Sequence, residues 1–242
     1  MPRQIGPNIV IDAWNIALAL RDSYEQEVST LMSLELLNTS QVGRIVIESI
    51  QAIPRRGMKI QPWTAGDSNA EAVPLDWAGG TSRGEPLRDN QGRVVVNAGF
   101  GSGIGTSTVI RYSPLMWIRD VSSVFRGEPV ARVQYDRAEI LLHEISHGLR
   151  QMLGVQTMRA MPTGLENDEE FFAALVTNVH SSQRNRPLLA NHGSRELRHP
   201  NSWLNGPVFP ATIRRFRTQM PAFCNRMALV EARFNPFRDV PA

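Results

Sequence analysis

Residues 139–151 of the chain read EILLHEISHGLRQ, an apolar run interrupted by two histidines and a glutamate. Ionisable side chains are costly to bury unless something pairs with them, so this stretch requires a partner. His143 and His147 are four residues apart. On a helix they share one face, one turn apart, and their imidazoles can converge on a single divalent ion. Glu144, beside the first histidine, is placed to reach a water at that ion instead of the ion itself. The pattern is H-E-x-x-H, in which two histidines hold zinc and the glutamate acts as general base. Residue frequencies alone produce it in roughly one chain in a hundred of this size, so its setting matters. Ile140, Leu141, Ile145 and Leu149 surround it with apolar side chains, as on a helix in the floor of a cleft, and Gly148 permits close approach. The plainer alternative, two solvent-facing histidines on an amphipathic helix, would bring more charged neighbours.

A catalytic zinc needs a third protein ligand and an open position for water. The segment ENDEEFFAALVTNVHSS (166–182) offers one, with an N-cap at Asn167 or Asp168, acidic residues in the first turn and an apolar continuation. Its carboxylates lie a helix end, a loop and one turn beyond His147.

The elements that must position these residues follow from periodicity. Residues 15–38 and 41–53 carry apolar side chains at helical spacing, and helices are expected at about 136–153, 167–182 and 211–233. MKIQPW (58–63) is a short strand, and 64–92, rich in Gly, Ser, Asp, Asn and Pro, reads as an exposed excursion. The β-branched runs RVVVNAG (93–99) and STVIRYS (107–113) are expected to pair as a hairpin, the second serving as edge strand of the cleft. The intervening GFGSGIGTS has the spacing of neither phosphate-binding glycine motif and precedes a strand, which argues against nucleotide binding.

Composition narrows the possibilities. The 242 residues suffice for one large domain. No apolar run approaches the roughly 20 residues that span a bilayer, so no membrane partner is expected, and the N-terminus lacks a signal-peptide core. The single cysteine, Cys224, excludes a disulfide framework and a multi-cysteine zinc site. The net charge is +3, but the arginines are spread along the chain and Lys59 is the sole lysine, so no nucleic-acid surface is expected.

HEISH followed by NDEEFFA resembles the gluzincin metallopeptidases, whose third ligand is a glutamate on the helix after the H-E-x-x-H helix. The second segment is similar to that helix in the anthrax lethal factor group and in bacterial effector zinc peptidases. GRIVIESI, VIRYSP and LLHEISHGLR extend the likeness over residues 41–195. Matched by position, the glutamate directly before FFA is the ligand: Glu170 inherits that role, and Glu169 becomes a neighbour or a group that supports the ligands from just outside them. The resemblance implies an α+β, zincin-like fold with a small mixed sheet over the active-site helix. It implies zinc at His143, His147 and Glu170, and Glu144 as the base. The core at 41–195 would be flanked by a helical segment at 1–40 and a helical extension at 196–242, together one compact domain.

In the lethal factor group a tyrosine that helps stabilise the oxyanion stands seven residues before the ligand glutamate. Thr163 occupies that position here. His192, Tyr135 and Arg150 can each donate a hydrogen bond to a developing oxyanion. His192 and Tyr135 are accordingly carried as catalytic candidates. His180 and His199 are expected at the surface, and Asn178, on the Glu170 face of its helix, is a candidate to orient an imidazole.

The function expected from these readings is a zinc endopeptidase. It would be a bacterial effector or toxin, made in the cytoplasm, exported without a classical signal and delivered into a target cell. Its partners would be a protein or peptide substrate and a cognate immunity protein or secretion carrier. The alternatives are a zinc hydrolase acting on another amide, such as cell-wall peptide, and a metal-stabilised binding module without catalysis.

Overall fold

The computed structural model describes residues 2–65, 70–89, 91–114, 136–161, 167–186, 188 and 208–241. Over these residues the protein is α+β and about half helical. Its sheet contains β1 (Arg3–Ile5), β2 (Ile9–Ile11), β3 (Met58–Gln61), β4 (Glu71–Pro74) and β5 (Thr108–Arg111) in the order β1-β2-β3-β5-β4. β1 pairs antiparallel with β2 and β4 antiparallel with β5, whereas β2–β3 and β3–β5 are parallel. The helices are α1 (Leu18–Thr30), continued by a π-helical segment (Leu31–Asn38), then α2 (Gln41–Gln51), α3 (Trp77–Gly80), α4 (Arg137–Leu153), α5 (Asp168–Gln183), α6 (Val208–Gln219), α7 (Pro221–Ala228) and α8 (Pro236–Asp239).

Three helices start where their caps dictate. The Ser40 hydroxyl accepts from Gly43 N at 2.9 Å at the head of α2, Asp136 accepts from Ala138 N at 2.8 Å ahead of α4, and Asn167 accepts from Glu169 N and Glu170 N ahead of α5. α4 lies directly on the sheet. A β-carbon at Gly148 would come within 2.5 Å of Met58 Cε and 3.0 Å of Thr108 Cγ2, so glycine sets the distance between helix and strands. Gln151 adds polar ties, accepting from Thr108 Oγ1 at 2.5 Å and donating to Ala72 O at 3.0 Å. α5 packs along another side of α4. Phe171 and Phe172 of α5 meet Phe209, Phe216, Phe223 and Phe237 of the C-terminal helices at ring-centroid distances of 4.9–6.4 Å. One hydrophobic cluster runs from Ile5 and Leu36 through Ile60, Ile110 and Leu141 to Phe216 and Phe237.

Several expectations from sequence need correction. The proposed hairpin does not form: β5 pairs with β3 and β4, while Val94, Val95 and Val96 are exposed. With no neighbouring face to bury them, those β-branched residues have nothing to pack against as a strand. Residues 93–101 instead fold back on 86–88 through the bridges Pro86↔Phe100 and Arg88↔Val94. The supposed excursion at 64–92 holds β4 and α3, and β4, not β5, is an edge of the sheet. The first 40 residues contribute β1 and β2 besides helix. The helix expected over 15–38 begins at Leu18 and changes to π geometry at Leu31. The terminal helical stretch divides at Pro221, whose missing N–H suits a helix start. Among the described residues, no helix is long and apolar enough to cross a membrane.

α4 ends at Gly154, which has φ +70° and packs on backbone: a β-carbon there would sit 2.5 Å from Gly105 N and 2.7 Å from Gly103 C. Gly154→Ala is therefore expected to lose about 1–3 kcal/mol of stability, read as a lower urea midpoint at unchanged slope.

Candidate metal centre

α4 holds His143 and His147 one turn apart, and the first turn of α5 brings Glu170 to them. The two Nε2 atoms are 3.1 Å apart, with rings at 76° to each other. Glu170 Oε2 is 3.0 Å from His143 Nε2 and 3.4 Å from His147 Nε2. Their side chains are only 9%, 11% and 19% exposed. Two imidazole nitrogens this close cannot both aim lone pairs at each other, so the arrangement calls for a proton or a cation among the three side chains. Burial pulls the His147 imidazole down, but the charge and hydrogen bond of Glu170, with the charges of Glu144 and Glu169, overcome it and raise its pKa to about 9. These three residues form a buried group that can hold a metal ion. Glu144 is buried on the same helix turn, 8% exposed, beside His143.

Glu170 is aimed by its neighbours. Asn167 Oδ1 accepts from Glu169 N at 2.9 Å and Glu170 N at 3.0 Å, fixing the backbone of the first turn, where acidic residues also suit the helix dipole. Successive helical residues point about 100° apart, so only one of the two glutamates can face the histidines. Glu169 turns to Arg150, whose Nε lies 2.9 Å and 2.7 Å from its two carboxylate oxygens. Asp168, also buried, accepts from Thr157 Oγ1 at 2.7 Å, Arg159 N at 2.6 Å and Arg215 Nη2 at 2.5 Å. Burial pushes its carboxyl above the usual range, with Glu169 adding to the rise.

The structure thus brings together His143, His147 and Glu170 and sets Glu144 beside them. Tyr135, Thr163, His192 and His199 lie outside the described residues. Arg150 is not available as an oxyanion donor: its guanidinium is committed to Glu169, Val155 O and Gln219 Oε1. Asn178 is buried in α5. The expectation that β5 would form the cleft's edge falls to β4, where Pro74 has no N–H and Ala72 O already accepts from Gln151. The Arg150–Glu169 pair was not read from sequence. Its available signal was an arginine three residues after His147 within the apolar face of the same helix.

His180, expected at the surface, is fully buried. Its Nδ1 lies 2.7 Å from Ser40 Oγ and its Nε2 3.4 Å from Arg184 Nη1. Arginine can only donate, so Nε2 accepts and Nδ1–H donates to the serine that caps α2.

The fold and the group define an α+β protein with a buried His/His/Glu set able to hold a metal ion. The sequence matches no protein-family model and no curated protein.

Burial, with Arg184 and Arg186 outweighing Asp136, lowers the His180 pKa from 6.5 to about 4. The unfolded chain then binds a proton that the folded one refuses, so this contribution to stability is intact above pH 6.5 and is lost as the pH falls toward 4. Urea midpoints should fall across that window by the equivalent of up to roughly 3 kcal/mol, and His180→Asn should flatten the fall.

Proposed function

We propose that this chain is a zinc-dependent endopeptidase of the zincin type, a bacterial effector or toxin that hydrolyses a peptide bond in a target-cell protein. The observation carrying this reading is the convergence of His143, His147 and Glu170, with Glu144 adjacent. Tetrahedral zinc with bonds of roughly 2.0–2.1 Å separates its ligand atoms by roughly 3.3–3.4 Å. The separations of 3.0, 3.1 and 3.4 Å among the two Nε2 atoms and Glu170 Oε2 fit that spacing. Two neutral imidazoles and one carboxylate also match a catalytic donor set with one position left open.

Bound zinc would lower the pKa of a water toward neutrality and polarise the substrate carbonyl. The chain's own residues do the rest. His143 and His147 hold the ion from α4, and Glu170 closes the set from α5. Glu144 takes the proton from the attacking water and delivers it to the departing amine nitrogen. A cognate immunity protein or secretion carrier belongs to the same proposal.

Purified protein is expected to contain near one zinc per chain by elemental analysis, falling sharply in His143→Ala and Glu170→Gln. Glu144→Gln should keep its zinc and its thermal midpoint while peptide turnover drops by a factor on the order of 10² or more. Retained turnover in Glu144→Gln would remove the peptidase assignment, and metal retained in full by His143→Ala would remove the ligand set.

A further inference from the structure

We propose that Arg150 is a positioning residue for the metal centre: by clamping Glu169, it turns the first residues of α5 so that Glu170 reaches the two histidines. The proposal rests on the metal-centre reading above and deepens it.

Arg150 has no exposed side-chain surface, and a guanidinium stays protonated wherever it is placed. Such a cation must be matched within the protein. The match comes from three directions. Nε bonds both oxygens of Glu169 on α5, at 2.7 and 2.9 Å. Nη2 donates to Val155 O at 2.7 Å in the loop after α4 and to Gln219 Oε1 at 3.1 Å on α6. The guanidinium carbon lies 4.8 Å from the ring centroids of both Phe172 and Phe216. Glu169 in turn accepts from Thr157 N at 2.9 Å.

Position in the chain gives this knot its consequence. Arg150 is three residues beyond His147 on one ligand helix, and Glu169 is the residue before Glu170 on the other. The clamp therefore joins the two ligand-bearing helices within a turn of their ligands. With the Asn167 cap holding the backbone and Arg150 holding Glu169, the direction of Glu170 follows from the helical rotation between neighbours. Groups that orient ligands from outside the coordination shell typically govern metal affinity by 10–100-fold.

Removing one partner alone strands the other charge and destabilises the fold, so the decisive variant is the double replacement Arg150→Met with Glu169→Leu. A buried ion pair exchanged for apolar residues of similar volume commonly keeps or gains stability, but an apolar pair does not fix the angle of α5. Wild type, the double variant and Arg150→Lys are titrated with cobalt(II) alone, then with zinc in competition against a chelator. Visible absorption reports the cobalt environment, and a thermal scan reports the fold. The double variant, which also loses the bonds to Val155 O, Gln219 and Thr157 N, is expected to fold with a lowered thermal midpoint, bind both metals 10–100-fold more weakly and show an altered cobalt spectrum. Wild-type affinity and spectrum in the folded double variant would overturn the clamp and leave the metal centre standing. Should the double variant not fold, Arg150→Lys decides: it keeps the charge but lacks the fork, and affinity equal to wild type in that variant overturns the clamp. A wild type that binds neither metal overturns the metal centre, and the clamp with it.

Discussion

A guanidinium with no contact with water constrains everything around it. Each ion of a buried pair costs roughly several kcal/mol to desolvate, and the loss is offset only by close, complete matching. Arg150 obtains that matching from α5, from α6 and from the loop after its own helix. Those elements cannot shift independently without breaking a bond to a buried charge. The packing of Phe172 and Phe216 across the same guanidinium extends the constraint into the aromatic cluster of the C-terminal helices. The helix that carries both histidines is therefore fixed on one side by its glycine contact with the sheet and on another by this ion pair.

The electrostatics of the region divide along the same line. Glu144, Asp168 and Glu169 are buried and Glu170 is partly exposed; Glu169 is matched by Arg150, and Asp168 by Arg215 and Thr157. At the histidines, the charge and hydrogen bond of Glu170, with the charges of Glu144 and Glu169, raise the His147 pKa against its burial. A divalent cation at the proposed zinc site would meet the same negative charge.

Much of this was legible in the residues. The helical spacing of α2, α4 and α5, the strand at Met58–Gln61 and the shared helix face of His143 and His147 follow from local pattern, and the resemblance singled out Glu170, which the fold brings to them. The rest depended on partners distant in sequence. β1 and β2 are three residues each, too short for alternation to register, and exist through pairing with each other and of β2 with the distant β3. Val94–Val96 had the composition of a strand and no face to cover, whereas β4, in a segment rich in turn formers, is made by β5. His180 lies in a run of polar residues that gave no sign of burial, because its partner Ser40 is 140 residues away. Arg150 read as a candidate oxyanion donor and Glu169 as a neighbour of the ligand, and nothing local to either residue showed that they would pair across the loop between them.

That loop is short. His143 and Glu170 are 27 residues apart and Arg150 and Glu169 only 19, whereas Ser107 and Gly57, joined beside β3 and β5, are separated by 50. The entropy of bringing chain segments together rises with the logarithm of the span, and contacts local in sequence form ahead of distant ones. Bringing together the helical pair that carries the ligands thus costs less chain entropy than joining β3 to β5, so the incomplete chain samples contacts among the ligand side chains more readily than contacts between those strands. An ion that favours those side chains would find them partly assembled before folding is complete, so some of its affinity would be spent on the incomplete chain and would add correspondingly less to the stability of the finished fold.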